Sequence, residues 1–447
     1  MKKELLKSSF LNLLSAIFSK GSAIVISIIF ARVLGAEIFG TFSIIQTTTA
    51  TLLIFITVGA GVVITKHVSI YNENNEQESA LAFTLLNILI SSFFSIIFIF
   101  ITFLYSKQIS EYLLNDQNQS VLIKIAVFIP LLSCIQVVIN GYMNGKKDFR
   151  YNKNVSLVSG VISIPISLYL VLNHALLGGV VSLLINQIII VILYINYFYK
   201  QFNGDVSSVF ENIIFNYNRY KKIIVNDSFP ALLVGLTVTP TMLVIYQISM
   251  KYNTSGLEIV GQFGAITQWR NLLIFIPSVL GVVFLSYFSR YKDNEKYRLY
   301  NLLTPYFCVY SIVIFLLAFP GFLKYIYGHD FVNEDFIRAF YVVIISCLLV
   351  SVKSAIGREI VFKENYWVSA VSNLIWSISF VGIYLIYGVE KGSFGIAISF
   401  LLSHLISFIY FLYRVDYSRE LLKKFLSQQS VMFSLLILTV LSVRLYL

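Results

Sequence analysis

Long apolar runs alternate with short polar clusters along almost the whole chain. An α-helix needs about 20 apolar residues to cross the ~30 Å hydrocarbon core of a bilayer. The runs predict an all-α polytopic membrane protein with twelve spanning helices, and a last run, Ser430–Leu447, is marginal in length as a thirteenth. The predicted spans lie near 9–32, 40–66, 80–105, 120–143, 154–173, 176–199, 222–250, 258–288, 299–326, 335–358, 366–388 and 393–414.

The composition is typical of a chain solvated mainly by lipid. Hydrophobic residues make up 57% of the 447 residues and charged residues only 12%, whereas soluble chains carry about 25% charged residues. The N-terminal run after Lys2, Lys3 and Lys7 is too long for a signal peptide and lacks a small-residue cleavage site, so it predicts a first spanning helix. No connection between spans is long enough for a separate catalytic domain.

The positive charge of the chain, +11 at pH 7, predicts its orientation. With the N-terminus in the cytoplasm, 23 of the 33 Lys and Arg residues fall at that terminus, in the even-numbered connections and after the twelfth helix. Five fall in the odd-numbered connections. Because cytoplasmic loops carry the excess of Lys and Arg, we expect the N-terminus and the even-numbered connections to lie in the cytoplasm. The excess is therefore no indication of nucleic-acid binding.

An internal repeat relates the two halves of the chain. An offset of six helices preserves orientation, so the halves are predicted to be parallel repeats, as in transporters that work by alternating access. We expect a lobe at 1–206 with helices 1–6, a lobe at 207–415 with helices 7–12, and an amphipathic segment with the thirteenth run at 416–447. The matched segments are Gly40–Gly59 with Gly261–Gly281, Asn154–Val171 with Trp367–Ile386, and Gly178–Gln187 with Phe394–His404.

Two cations, Lys20 and Arg270, fall near the middle of predicted spans. A cation facing lipid costs ~3 kcal/mol on insertion scales, so each is expected to face a bundle interior or a wet cavity. One interpretation is that they snorkel or cap neighbouring carbonyls. The other is a cationic cavity wall for an anionic substrate, in which arginine binds phosphate bidentately and lysine acts as a point charge.

Other polar residues are weaker candidates for the site. Arg32 lies at the outer end of helix 1, where a cap or a loop contact is as good an explanation as substrate binding. Asp227 lies in the first turn of helix 7, where a carboxylate favours a helix N-terminus, although a coupling role for a proton or cation is the alternative. Gln46 and Gln268 are candidate substrate contacts or interhelical hydrogen bonds.

No metal or cofactor site is predicted from the sequence. Cys134, Cys308 and Cys347 are isolated within apolar runs, and the four histidines are scattered. We interpret the cysteines as small hydrophobic residues of helices.

Four stretches carry a resemblance to a known family. The stretch Ala31–Ser69 opens with ARVLGAEIFGTF and resembles the AR-x-LG-x-x-x-FG-x-(Y/F) pattern of the polysaccharide-transport branch of the multidrug/oligosaccharidyl-lipid/polysaccharide (MOP) exporter superfamily. Gly141–Asn152, Val260–Gln268 with Pro277 downstream, and Leu176–Leu184 are similar to the same branch, which includes the O-antigen repeat-unit flippases of the Wzx type. The resemblance covers about residues 8–415.

The resemblance implies two six-helix lobes that form a V around a central cavity, as in MATE-like transporters. It further implies that the protein flips an undecaprenyl-pyrophosphate-linked oligosaccharide from the cytoplasmic to the outer leaflet of the inner membrane. Lys20 and Arg270 would contact the pyrophosphate. Helix 2 departs from the pattern, since it offers Gln46 and threonines where relatives have a cation. Lipid II flippases usually have fourteen helices, so a smaller count argues against that substrate.

Three classes of protein remain to be compared. The leading hypothesis is a flippase without cofactor, with membrane lipid and a lipid-linked oligosaccharide as partners, and with a polysaccharide polymerase and a chain-length regulator as further candidates. A drug or cation antiporter of the same fold would need buried carboxylates, which the predicted spans lack. A membrane glycosyltransferase, ligase or polymerase would need a long external loop or a DxD-like constellation, and neither is present.

Overall fold

The computed structural model describes residues 2–57, 59–202, 206–228, 232, 235–291, 295–319, 321–329, 331–362, 366–414 and 416–446. All regular secondary structure within these ranges is helical, which confirms the all-α prediction. The chain divides into two compact units, one formed by Met1–Leu34 and Thr41–Leu243 and the other by Gly35–Gly40 and Val244–Leu447.

In the described ranges the first unit contains nine α-helices and a π-helical turn, and it ends within the next helix. A left-handed Gly35, with φ of 76°, divides the first helix into two arms. The helices are α1 (Lys2–Thr57), α2 (Ala60–Glu73), α3 (Gln77–Leu104), α4 (Ser106–Leu114), α5 (Ser120–Ala126), α6 (Phe128–Gly145), α7 (Phe149–Lys200), α8 (Val206–Phe215) and α9 (Tyr217–Ile223), with the π-helical turn at Ile224–Ser228.

The second unit is built mainly from four long helices, α11, α12, α14 and α16, together with shorter ones. The helices that follow the π-helical turn are α10 (Val238–Tyr252), α11 (Gly256–Tyr291), α12 (Glu295–Ala318), α13 (Phe322–Tyr327), α14 (Glu334–Phe362), α15 (Tyr366–Ile383), α16 (Gly392–Arg414), α17 (Asp416–Leu426) and α18 (Gln429–Tyr446). Tyr306 of α12 and Ser434 of α18 are joined by a hydrogen bond of 2.9 Å, so the marginal thirteenth run is helical and packs on α12.

Helix α7 shows how a continuous apolar stretch becomes two spans. A straight helix of its 52 residues would be about 78 Å long, more than twice the hydrocarbon thickness. The chain reverses at Ala175, which has φ of 44° and ψ of −124°. Beyond the turn, Gly178 packs directly on the Leu170 carbonyl group, where a Cβ atom would overlap it. The reversal agrees with the separate helices predicted at 154–173 and 176–199.

Within the described residues, seven segments are long and apolar enough to cross a membrane. Each of the twelve predicted spans, and the marginal thirteenth run, is helical over most of its described residues. The chain is therefore a multi-pass membrane protein, as predicted. The seven segments are Gly21–Thr57, Gln77–Leu104, Gln117–Gly145, Arg150–Lys200, Lys296–Ala318, Glu334–Arg358 and Trp367–Arg414.

The segment after residue 206 packs with the first unit, whereas the sequence analysis assigned it to the second lobe. Val209 and Ile213 on one face of α8, and Tyr220 of α9, are buried in the core of the first unit. Tyr220 packs its ring 5.6 Å from that of Phe83 in α3. The apolar face of α8 and α9 is buried because α3 packs against it. The compact unit thus runs to Leu243, and the lobe boundary at 206/207 stays a prediction.

The internal repeat has structural counterparts. Gly178 in the first unit packs on the Leu170 carbonyl group, and Gly395, 217 residues later, packs in the same way on the carbonyl group of Gly388. In both places a Cβ atom would overlap a backbone oxygen, so only glycine allows the two helices to approach this closely after a tight turn. The repeated sequence therefore encodes a repeated hairpin.

Candidate functional site

A cavity of about 370 Å³ lies within the second unit, between α14, α15 and α16. Its volume is within the usual range for small-molecule sites. Two of its lining residues are cationic, and none of the described residues that line it is acidic. The lining residues are Val350, Lys353, Ser354, Gly357, Arg358, Ser369, Asn373, His404 and Phe411.

Lys353 supplies a half-buried cation to the cavity. Its Nζ donates a hydrogen bond of 2.7 Å to Ser407 Oγ on α16 and lies 5.2 Å from the centre of the Phe411 ring. No carboxylate of the described residues lies within ion-pairing distance of it. An ammonium group has three donors, so Lys353 keeps hydrogen-bonding capacity for a group that enters the cavity.

Arg358 forms a second charge on the cavity wall, and it is held by the surrounding helices. Its guanidinium donates to Asn301 Oδ1 at 3.0 Å, to the Asn301 carbonyl at 3.3 Å, to Ser354 Oγ at 3.3 Å and to the Pro277 carbonyl at 3.3 Å. The Asn301 acceptors lie on α12, and the Pro277 carbonyl lies on α11. Arg358 therefore joins α11, α12 and α14 while keeping a fixed positive charge beside the cavity.

His404 of α16 is 8% exposed, and neither ring nitrogen has a hydrogen-bond partner among the described residues. Its ring packs against Phe400 at 4.5 Å and against Trp376 at 5.3 Å between ring centres. A neutral imidazole carries one donor and one acceptor. Burying both without partners is unfavourable, so His404 has unused hydrogen-bonding capacity at the edge of the cavity.

Arg270, a candidate from the sequence, lies in α11 close to this cluster. Its guanidinium carbon is 4.9 Å from the centre of the Phe400 ring, and Nη1 donates a weak hydrogen bond of 3.4 Å to Asn271 Oδ1. Nε is buried without a hydrogen-bond partner in the described structure. Arg270 and His404 thus contact the same aromatic ring, and the second unit concentrates cationic and nitrogen-bearing side chains around Phe400.

The other central candidate, Lys20, lies in helix α1, but its side chain falls outside the described residues. Its pairing with Arg270 in one site stays a prediction. Arg32 is exposed and lies three residues before the left-handed Gly35 at the junction of the two arms of α1.

The two glutamine candidates are half-buried, Gln46 in the second arm of α1 and Gln268 in α11. The threonines beside Gln46 are occupied by their own helix: Thr47 donates to the Ser43 carbonyl at 2.8 Å and Thr48 to the Ile44 carbonyl at 2.8 Å. Thr49 donates to the carbonyl group of Gln46 itself at 2.9 Å. The threonine-rich stretch therefore has fewer free hydroxyl donors than its composition indicates.

Asp227 forms an ion-pair cluster with α2. Its Oδ2 lies 2.7 Å from His67 Nε2 and 3.3 Å from Lys66 Nζ. The contacts with His67 and Lys66 join the π-helical turn Ile224–Ser228 to α2. A second pair, Arg219 with Glu76 at 3.0 Å, joins α9 to the beginning of α3.

Several polar residues of the first unit serve as contacts between helices. Gln187 of α7 donates a hydrogen bond to Gln136 of α6. Asn140 donates to Tyr194 Oη at 3.3 Å, and that hydroxyl donates to Asn152 Oδ1 at 2.7 Å. Neutral hydrogen bonds of this kind hold membrane helices together.

Lys353 and Arg358 are not among the predicted site residues, because both belong to the 23 charges assigned to the cytoplasmic side. The internal repeat carries the signal that would have found Lys353. When Ser133–Cys134 is aligned with Ser346–Cys347, Lys353 occupies the place of Asn140, and at the Gly178/Gly395 offset Phe411 matches Tyr194. A half-buried amide in one half is therefore replaced by a cation in the other half, at a position that lines a cavity.

The comparison with protein families gives one match. The model of a family described as polysaccharide biosynthesis protein matches residues 5–291. No curated protein is similar enough in sequence to count as a match.

Three similar solved structures are described as transporters or flippases. A multidrug resistance MATE family transporter of the MOP superfamily, in an inward-facing conformation, is 12% identical with a TM-score of 0.74, over 92% of this chain and 99% of that one. The lipid II flippase MurJ, in an inward closed conformation, is 15% identical with a TM-score of 0.70, over 98% of both chains. A MOP superfamily transporter from Pyrococcus furiosus is 11% identical with a TM-score of 0.71, over 94% of this chain and 96% of that one. At these identities the likeness shows the fold.

Proposed function

Because the chain belongs to the polysaccharide biosynthesis protein family, we propose that it is a flippase for a lipid-linked oligosaccharide. The substrate would be an undecaprenyl-pyrophosphate-linked repeat unit of O-antigen or a similar polysaccharide. The protein would move it from the cytoplasmic to the outer leaflet of the inner membrane by alternating access, without changing it chemically. The N-terminus would lie in the cytoplasm.

The observation that supports this proposal is the sign of the charges within the long helices. Arg270 in α11 and Lys353 in α14 are cations within helices of the second unit. The acidic residues of the described spans, by contrast, lie at helix ends or beside turns, as with Glu37 next to Gly35 and Glu334 at the beginning of α14. A diphosphate carries negative charge and accepts hydrogen bonds, so cations are the groups expected to bind it.

The alternative is a drug or cation antiporter of the same fold. The MATE family transporter among the similar structures supports it only at the level of fold. A site for a cationic drug needs carboxylates deep in the spans, because a buried positive charge must be paired. The described spans offer cations there, so the flippase is the better-supported function.

Within this function, Lys20 and Arg270 are proposed to contact the diphosphate, and Arg32, Gln46 and Gln268 to contribute polar groups along the path. Asp227 is the proposed coupling residue, since its ion pairs with α2 would have to break if the π-helical turn moved. A polysaccharide polymerase and a chain-length regulator are the proposed protein partners. Membrane lipid surrounds the spans.

Genetic complementation tests the proposal. The protein is expressed in cells that lack a repeat-unit flippase and that make the matched lipid-linked repeat unit, and surface glycan is measured. We expect surface glycan to return. Persistent accumulation of the lipid-linked unit on the cytoplasmic side, with the protein inserted in the membrane, would reject the flippase. Extrusion of cationic drugs under the same conditions would favour the antiporter.

A further inference from the structure

We propose that the cavity between α14, α15 and α16 is a binding site for a phosphate-class anion, with Lys353 as the ion-pairing residue and Ser369 and Asn373 as hydrogen-bonding partners. The proposal goes beyond the transport function, because a pocket within one unit can bind an anion whether or not the chain flips a lipid. It is separate from the Lys20 and Arg270 pair, since Arg270 does not line this cavity.

The electrostatics of the cavity are one-sided. Lys353 and Arg358 both line it, and no acidic side chain among the described residues does. Arg358 is saturated by carbonyl and side-chain acceptors, so it contributes a fixed field. Lys353 has a single hydroxyl acceptor, Ser407, and an aromatic face. A half-buried cation without a counter-ion is unfavourable unless an anion joins it.

Hydrogen-bonding groups suited to phosphate oxygens surround that cation. His404 also lines the cavity, but both of its ring nitrogens are buried, so the donors for a ligand come from other residues. Ser369 and Asn373, on α15, line the cavity and add a hydroxyl and an amide donor. These donors, with the ammonium group, match an acceptor-rich, negatively charged ligand and do not match a cation.

The repeat gives an independent reason to assign a ligand here. In the first unit Asn140 and Tyr194 close a neutral network with Asn152, which is sufficient to hold the helices together. In the second unit the matched positions are Lys353 and Phe411. The change adds a charge and removes a hydroxyl group that could have accepted a hydrogen bond from it. Lys353 joins α14 to α16 through Ser407, and a bound anion would explain the added charge.

The phosphate group could come from a free anion or from the diphosphate of a polyprenyl lipid. Both ligands present at least two negatively charged oxygen atoms on one or two phosphorus atoms. A volume of about 370 Å³ accommodates either group with some water. The two sources are separated by testing inorganic pyrophosphate and a polyprenyl diphosphate in parallel.

The experiment labels a cysteine placed in the cavity of the purified full-length protein. Ser369→Cys is introduced in a Cys308→Ser background, because Cys308 is exposed whereas Cys134 and Cys347 are buried. The rates of reaction with an anionic and a cationic methanethiosulfonate are measured relative to a free thiol, with and without inorganic pyrophosphate. We expect the anionic reagent to react faster and pyrophosphate to protect the thiol.

Substitutions of Lys353 test whether this lysine is responsible for the protection by pyrophosphate. Lys353→Gln should weaken protection by pyrophosphate about tenfold, the loss of one charge-assisted hydrogen bond, and Lys353→Arg should retain it. The matched control is Lys391→Gln, since Lys391 also lies over an aromatic ring, Tyr387, but does not line the cavity. Thermal unfolding of each variant verifies folding. If Lys353→Gln does not fold, the reagent preference and the protection in the unsubstituted background still decide the question.

The outcomes distinguish a general anion site, a site for the lipid headgroup and the absence of an anion site. Protection by both ligands supports an anion site, and protection by the polyprenyl diphosphate alone assigns the site to the lipid headgroup. A reactive thiol that neither ligand protects, or an equal response of the Lys353 and Lys391 variants, would overturn the proposal. Complementation in cells is scored separately, so the anion site can fail while the flippase function holds, and the reverse.

Discussion

Gly40 and Gly261 pack against each other as a reciprocal pair within the second unit. A Cβ atom on Gly40 would overlap the carbonyl oxygen of Leu257, and a Cβ atom on Gly261 would overlap that of Ala36. Each glycine thus packs on the carbonyl group four residues before the other one. The same two glycines begin the first pair of repeated segments, so the repeat places equivalent residues at a helix crossing with local two-fold symmetry.

The first prediction concerns this crossing. Gly40→Ala or Gly261→Ala should lower the free energy of unfolding by about 3 kcal/mol or more, because the added methyl group meets backbone that cannot move aside. Thermal unfolding in detergent and the yield of inserted protein measure the effect. The control is Gly382→Ala in α15, where no atom lies within 4 Å and alanine should be neutral or slightly stabilising. Equal stability of all three variants would contradict the crossing.

The second prediction concerns the proposed diphosphate contacts. Lys20→Ala and Arg270→Ala should each abolish the return of surface glycan in the complementation assay while the protein still inserts. Arg270→Lys should retain part of the activity, since it keeps the charge but loses the bidentate geometry. The control is Arg338→Ala, which removes an arginine that pairs with Glu334 at 3.4 Å. Full activity of both Lys20→Ala and Arg270→Ala would reject their role.

The third prediction concerns the ion pairs of Asp227. Asp227→Asn should destabilise the protein by up to about 1 kcal/mol at pH 7, as is usual for a partly exposed pair. Protonation of the carboxylate removes the charge on which both ion pairs depend. The difference in thermal midpoint between the native chain and Asp227→Asn should therefore disappear in strong acid. A difference that persists there would mean that the substitution acts by other means than charge.

The fourth prediction concerns the neutral network of the first unit. Tyr194→Phe should lower stability by about 1 kcal/mol, because it removes the hydroxyl group shared by Asn140 and Asn152. Tyr199→Phe, on a side chain that is 70% exposed, is the control and should have little effect. Thermal unfolding of the two variants side by side measures the difference. A Tyr194 variant as stable as the control would show that packing alone holds α6 and α7 together.

The positions of the helices could be predicted from the sequence because lipid imposes a length. An apolar run of about 20 residues has few alternatives to a spanning helix, and the reversal at Ala175 falls between two predicted spans. Family membership also agreed with the motif at Ala31–Ser69. Neither the length rule nor the motif says which side of a helix faces its neighbours.

The surroundings of individual side chains were decided by the tertiary structure. Lys353 was counted as a cytoplasmic charge, since hydropathy records only that a lysine lies near the end of a run, yet it lines a cavity because of the face of α14 that packs against α16. Asp227 was predicted near a helix N-terminus, and nothing in the sequence indicated its contact with His67, 160 residues away in the chain. The sequence by itself determined helices, membrane and family, because burial in lipid depends on local composition. Contacts between charged side chains depend on the rotation of each helix and on packing between distant segments, and only the tertiary structure decides these.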